Sequence, residues 1–345
     1  MNNCQLAPVC LFVYARAALT RRTVESLLAN PEASASELHV FCDGPRPDAD
    51  ARTRAQVQAV RDYVRGITGF ARVVLHESAV NLGLSRSVIG GVSEMLRTHE
   101  RVIVLEDDLV LSSGFLRFMH QALQTYADVP QVLSVSGYAH PIHHRPGPEP
   151  AQDATFGLRA SSWGWAIWRD RWEQIDWAVT DYPRFRWNLA QRLRFNRGGS
   201  DLSHMLDRQM AGKIDSWAIR LCFHQFRHGL VDVFPRQSLV ENIGFGEGAA
   251  HCRHAVRPPH AVCPSEPPAV FRLPTEVCTD PDVLRQFRGF NSLSARALRT
   301  LKRWWLDSLA GRGAAGRPPA GPHATVVAAP RAARPHPLVR HSATG

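Results

Sequence analysis

The sequence predicts an α/β fold: a mostly parallel sheet with helices on both faces. Three observations predict it. Short, continuous apolar runs alternate with helix-period segments at least four times in the first 110 residues. The runs are too uniformly apolar for strands with one face in water, so both of their faces are buried. Acidic residues stand directly after two of the runs, where parallel sheets present their carboxyl ends to ligands.

The elements follow in order. Val9–Tyr14 reads as a buried strand and Thr20–Asn30 as a helix, with Val24, Leu27 and Leu28 on one face and Pro31 after its end. Leu38–Cys42 is a second strand, closed by the turn signal Asp43-Gly44-Pro45. Ala51–Gly66 is a helix, Ala71–His76 a third strand and Leu84–Thr98 a helix. Val102–Leu105 is a fourth strand that runs into Glu106-Asp107-Asp108. Gln131–Val135 and Leu230–Phe234 are later strands, and Ser203–Met210 and Trp217–His228 are helices. Seven of the nine tryptophans fall between Trp163 and Trp217. Residues 256–290 show several prolines and little periodicity. Asn291–Leu309 has the pattern of a basic amphipathic helix, and residues 311–345 are a Gly, Ala, Pro, Arg and His tail expected to be disordered. The expected division is a domain over 1–255, with a nucleotide-binding half (1–110) and an acceptor half (111–255), then an extension over 256–310 and the tail.

Composition narrows the function. At 345 residues and 44% hydrophobic, the chain can bury a large core without staples. From Val283 to Gly345 eleven arginines and lysines face one acid, Asp307, so the preceding 282 residues carry 30 of each sign. The main domain therefore lacks the net positive charge of a nucleic-acid binder. The longest apolar run, Ala7 to Ala15, is nine residues, short of the roughly 20 that cross a bilayer. Seven cysteines without a CxxC pair argue for a reducing compartment, and no basic segment precedes the first apolar run. A cytoplasmic protein is expected.

The sharpest chemical signal is Glu106-Asp107-Asp108. Three adjacent carboxylates repel one another unless a cation or hydrogen-bond donors compensate. Hard cations such as Mn²⁺ and Mg²⁺ take carboxylate oxygens together with substrate phosphates. A solvated turn is the plainer alternative, and the apolar segments on both sides of the trio favour the metal.

The run VIVLEDDLVLSSGFLRF resembles the metal-binding segment of GT-A-fold glycosyltransferases, and is most similar to the N-acetylglucosaminyltransferase I family. VCLFVYARAALTRRTVESLL resembles that family's opening strand and helix, and FCDGPR its second strand. NLGLSRSV, SSWGWAIWRDRW, IDSWAIR and LVENIGFGEGAAHC are similar to segments of bacterial sugar transferases. The resemblance spans about residues 8–252 and rests on the order of these pieces. It implies a Rossmann-like GT-A fold and a metal-dependent transferase. Such an enzyme moves a sugar from a nucleotide-diphosphate sugar, with UDP favoured, to a hydroxyl of a glycan or lipid-linked acceptor. Inversion at the sugar carbon and a place in bacterial surface-glycan synthesis come from the resemblance alone.

The resemblance also assigns residues. Asp108 matches the metal ligand, and Glu106 and Asp107 the positions that contact ribose and sugar or hold water on the metal. Arg16 matches a diphosphate contact, where a guanidinium fork suits phosphate. Asp43 matches a uracil contact, with an Asx turn through Gly44 as a compatible alternative. Asn81, Gly83 and Arg86 would lie beneath the nucleotide, or simply start a helix. Trp163, Gly164 and Trp165 would line the sugar and acceptor pocket, with one or two of the tryptophans in this run in the core. Asp215 is the candidate general base and Asp207 its rival; either could instead cap a helix. His251 is a candidate metal or diphosphate ligand, or a surface histidine. The 291–309 helix would either contact the inner face of the cytoplasmic membrane or pack back on the domain. A sugar-phosphate nucleotidylyltransferase and a non-catalytic carbohydrate-binding protein are the competing functions.

Overall fold

The computed structural model describes residues 6–143, 152–245, 266–290 and 292. Eight strands form one sheet. In chain order they begin β1 (Val9–Val13), β2 (Glu37–Cys42), β3 (Arg72–Glu77) and β4 (Arg101–Glu106). A short strand, β5 (Leu109–Leu111), lies outside this sheet; β6 (Val132–Ser136), β7 (Ala154–Gly157), β8 (Trp165–Trp168) and β9 (Val231–Pro235) complete it. The spatial order is β3-β2-β1-β4-β8-β6-β9-β7. Six strands run one way; β8 is antiparallel to β4 and β6, and β7 is antiparallel to β9. The mostly parallel α/β architecture expected from the sequence is the one observed.

Helices cover both faces. On one face lie α1 (Ala17–Leu28), α2 (Ala51–Arg65) and, beyond α3 (Leu84–Met95) in the chain, α4 (Phe115–Thr125). On the other lie α3, α5 (Arg169–Trp172), α6 (Tyr182–Phe185), α7 (Leu189–Phe195), α8 (Leu202–Met210) and α9 (Trp217–His228). The period-2 geometry of β1 feeds both cores: Val9, Leu11 and Val13 point to one, Cys10 and Phe12 to the other. This is why that strand reads as an unbroken apolar run. Side-chain caps start three helices: Asp50 accepts from Thr53 N at 2.7 Å, Asn188 from Gln191 N at 3.0 Å, and Ser216 from Ile219 N at 3.4 Å.

Several elements differ from expectation. Strand β8 falls in the tryptophan-rich segment, and its residues alternate between the two cores: Trp165 and Ile167 to one side, Ala166 and Trp168 to the other. The 256–290 region contains a helix, α10 (Pro281–Phe290), whose Val283, Leu284 and Phe287 are buried. Its apolar residues sit at one helical face, a pattern hidden by the proline-rich sequence before it. Strand β10 (Val240–Asn242) pairs antiparallel with β5, bringing Asn242 opposite Leu109. The 291–309 segment, save Ser292, and the 311–345 tail lie outside the described residues. No helix among the described residues is long and apolar enough to cross a membrane.

Candidate active site

The carboxyl ends of parallel β1, β2 and β4 lie side by side, because Val13 pairs with Cys42 and Phe12 with Glu106. Each strand delivers a polar group just past its last apolar residue. Strand β1 leads to Arg16, β2 to Asp43, and β4 to Glu106-Asp107-Asp108. The register of the sheet therefore assembles residues that are up to 92 positions apart in the chain.

Arg16 bridges two of the acids. Its guanidinium donates to Asp107 in a very short contact, and its Nη1 lies 2.9 Å from Asp108 Oδ2. Burial alone would weaken the arginine as a base, but Asp107 and Asp108 outweigh it and hold its pKa above the ordinary value. The pKa values of Glu106 and Asp107 are raised as well, which for an acid favours the neutral form. Burial, reinforced by Asp108 and Asp107, pushes Glu106 up to about 8, against the pull of Arg16 and of a hydrogen bond from Trp217. Burial raises Asp107 to about 6 although Arg16 and the Tyr14 amide favour its charged form. One guanidinium thus leaves three carboxylates undercompensated in a buried place.

Asp108 is only 6% exposed. Asn242 Nδ2 donates to its Oδ1 at 3.3 Å, and its backbone carbonyl accepts from Ile243 N at 2.8 Å. Gly244 passes so close that a Cβ there would lie 2.0 Å from Asp108 Oδ2. No other residue fits that approach without displacing the carboxylate.

Asp43 organises a loop. Its Oδ1 accepts from Gly44 N at 2.9 Å and Leu82 N at 2.8 Å, and its Oδ2 from Asn81 Nδ2 at 2.9 Å and Gly83 N at 3.1 Å. The carboxylate bonds the amide one residue on, not two as in an Asx turn, because Pro45 has no N–H to offer, and it ties β2 to the start of α3. Gly83, at φ +79°, lets the chain turn into α3 in the left-handed region. Arg86, in the first turn of α3, is exposed, and it forms no ion pair among the described residues.

Asp215 joins this surface from the other half of the chain. It does not cap α9, a role taken by Ser216. Instead its Oδ2 accepts from Ser85 N at 3.3 Å, at the first turn of α3, and would lie 3.5 Å from a Cβ on Gly83. Its other oxygen is 3.8 Å from Arg220 Nη2. Arg220 is held by Ser85 Oγ and by the Trp177 carbonyl at 3.3 Å. The Asp215 side chain is itself largely exposed, as an acid that must reach a substrate hydroxyl would be.

Other sequence-predicted residues fall elsewhere. Asp207, on α8, is engaged by Arg192 at 2.7 and 2.9 Å and by the Tyr182 hydroxyl at 3.1 Å, and this bond network lowers its pKa, chiefly through Arg192. Trp165 is a core residue, stacked on Trp217 with ring centroids 4.7 Å apart. Trp163 is half-buried and meets Tyr138 edge-on at 4.5 Å. Gly164, at φ +63°, gives its carbonyl to Gly137 N at 2.7 Å. His251 lies outside the described residues.

The residues that sequence reasoning passes over are Asn242, Gly244 and Arg220. Asn242 and Gly244 sit in a glycine-rich segment whose partner, β5, becomes visible only when the second sheet forms. Arg220 reads as one more polar residue of a helix.

The chemistry of the donor set suits a hard divalent cation: carboxylate oxygens at a strand end, with more negative charge than Arg16 neutralises. Among the described residues, however, no group of three or more His, Cys, Asp or Glu side chains is arranged to hold one.

No protein-family model matches the chain, and no curated protein matches it. Solved structures that resemble it weakly include the following. Mouse xyloside xylosyltransferase 1, in its apo form, aligns at 14% identity and a TM-score of 0.34, over 66% of this chain and 83% of that one. TarS of S. aureus aligns at 14% identity and a TM-score of 0.31, over 49% of this chain and 30% of that one. An active-site mutant of LgtC aligns at 13% identity and a TM-score of 0.30, over 49% of this chain and 60% of that one. The chain thus spans less than two thirds of the length of TarS and of LgtC.

Proposed function

We propose that this chain is a metal-dependent GT-A glycosyltransferase. In this reading it uses a nucleotide-diphosphate sugar, UDP-linked in the favoured case, and transfers the sugar to a glycan or lipid-linked acceptor hydroxyl. One observation carries the reading. Arg16, the Asp43-ordered loop through Gly83, the Glu106–Asp108 trio and Asp215 all meet at the carboxyl ends of β1, β2 and β4.

The roles follow from the chemistry. Asp108 would hold Mn²⁺ or Mg²⁺, with Asp107 contacting the sugar or holding water on the metal, and the cation would neutralise charge on the departing diphosphate. Arg16, paired with Asp107 and Asp108, would turn from them to give the same diphosphate its guanidinium fork. The loop of Asn81 to Gly83 and the exposed Arg86 border the nucleotide. Asp215 accepts the acceptor's hydroxyl proton while the acceptor oxygen bonds to the sugar carbon and the bond from that carbon to the diphosphate oxygen breaks. Attack on the face opposite the leaving group gives inversion.

The test is nucleotide release from a panel of UDP-sugars with and without Mn²⁺, together with a thermal-shift measurement of UDP and Mn²⁺ binding. Metal-dependent release and a joint thermal shift support the proposal. Neither signal with any donor would reject it.

A further inference from the structure

The surface built by residues 182–197 differs from the rest of the molecule. Helices α6 and α7 are anchored by two phenylalanines. Phe185 packs against Phe223 at 4.9 Å, and Phe195 against Phe226 at 5.1 Å. With those two rings in the core, the remaining apolar residues of the segment point outward. Trp187, Leu189 and Leu193 are 77%, 75% and 73% exposed. Leu189 and Leu193 stand one helical turn apart and share a face.

Basic groups surround them. Arg186 lies over the Trp187 ring at 4.5 Å. Arg184, Arg194 and Arg197 are exposed, and among the described residues none of these four arginines forms an ion pair. The nearby acids cannot cancel this charge, because each already has a partner. Asp181 is paired with Arg227 at 2.6 Å, Asp201 with Arg159 at 2.8 Å and Asp207 with Arg192 at 2.7 Å. The result is a protruding apolar trio ringed by uncancelled positive charge.

Water is a poor environment for this trio, and a purely polar anionic partner would leave it unburied. An anionic bilayer meets both requirements. Leucines enter the boundary between headgroups and acyl chains, tryptophan prefers headgroup depth, and arginines pair with lipid phosphates. We propose that the 184–197 surface docks this protein peripherally on an anionic lipid membrane through Trp187, Leu189 and Leu193, with Arg184, Arg186, Arg194 and Arg197 on the phosphates. The inference does not depend on the reading of the carboxylate site, and it concerns a different segment from 291–309.

The test is co-sedimentation of the full chain with phosphatidylcholine vesicles, with and without about 30% phosphatidylglycerol. The protein should pellet with the anionic vesicles only, and less so as salt rises. The triple variant Trp187→Ser, Leu189→Ser, Leu193→Ser should lower partitioning at least about tenfold. The quadruple change of Arg184, Arg186, Arg194 and Arg197 to Gln should remove the preference for anionic lipid. All seven positions are exposed, so circular dichroism and Tm should match the parent. Three results would overturn the proposal: no binding of the parent protein to anionic vesicles, undiminished binding of the triple variant, or a dimer of the parent that the triple variant dissociates. The second would shift the contact to another segment such as 291–309, and the third would assign the surface to a second copy of this chain.

Discussion

Two buried carboxylate sites in this molecule differ in what surrounds them. The first is the Glu106–Asp108 trio at the end of β4. The second is Asp232 on β9, between β6 and the edge strand β7 and 0% exposed. Burial raises Glu106 and Asp232 alike, each to about 8. Asp232 is closed on itself: the hydroxyls of Ser134 and Ser136 on neighbouring β6 are each hydrogen-bonded to one of its oxygens. Protonated, it gives its O–H to one serine hydroxyl and accepts from the other, so no charge is left to satisfy. The trio has a guanidinium, an asparagine and a closely passing glycine, yet still carries more negative than positive charge. A perturbed acid is therefore not by itself a functional acid. What marks the trio is unbalanced charge at the carboxyl ends of parallel strands, where a ligand can reach.

The comparison can be broken at several points. The largest expected effect is at Asp108. Asp108→Ala should remove metal-dependent turnover and the Mn²⁺-induced thermal shift while the circular dichroism spectrum stays that of a folded protein. Normal Mn²⁺-dependent activity in this variant would separate the trio from metal binding altogether.

Asp215→Asn comes next. A general base contributes about 10²- to 10⁴-fold, so kcat should fall by that order. UDP-sugar affinity should stay within about twofold, because the proton moves only in the transition state. Equal losses in affinity and kcat would recast Asp215 as a binding residue. Asp207→Asn should show no such kcat loss, since its carboxylate serves Arg192 and Tyr182.

Gly244→Ala probes how tightly the second sheet closes on Asp108. A methyl group 2.0 Å from the Asp108 oxygen must displace one or the other. Overpacking of this kind costs roughly 1–3 kcal/mol, and here the displaced group is the proposed metal ligand. Reduced Tm together with weakened Mn²⁺ binding is expected; a Tm loss with intact metal binding would show that the backbone alone gives way.

The remaining effect concerns Asp232 and depends on pH. Its folded pKa is raised above the unfolded value of 3.8 to about 8. Between those values the folded state holds a proton that the unfolded state has released. This contribution to stability is whole below about pH 4 and is lost as pH rises toward 8, by up to about 1.4 kcal/mol per pH unit. Asp232→Asn cannot ionise and can still bond to both serines. Its Tm relative to the parent should therefore rise from pH 5 to pH 8. A difference that stays flat across that range would mean Asp232 is ionised in the fold.

Much of the first half of the chain is legible in its residue pattern. Strand β1 and the Val102–Leu105 part of β4 are unbroken apolar runs, and Leu38–Cys42 of β2 is broken only by His39, because both faces of a parallel sheet are covered; each leads to a polar residue that the sheet brings to one edge. Val24 and Leu27 of α1 follow the helical period, and the expected helix Trp217–His228 matches α9 end to end. The second half is less legible. Trp165 reads equally well as a sugar platform or a core ring, because an indole suits both and only packing on Trp217 decides. Helix α4 is a different case: Phe115, Leu116, Phe118, Met119, Ala122 and Leu123 carry its helical period plainly, so local signal is not what limits the reading there.

The sequence by itself determined the α/β class and the acids at the strand ends, because periodicity and local turn chemistry are properties of neighbouring residues. Only the tertiary structure decided the rest. It inserted β8 antiparallel between β4 and β6, turned Asp215 from its own helix to the start of α3, and laid Asn242 and Gly244 against Asp108 through a second sheet. It also left Trp187, Leu189 and Leu193 in solvent while Phe185 and Phe195 went inside. Each of these depends on which distant segment arrives at a given surface. That is settled by long-range packing and burial, which no window of neighbouring residues contains.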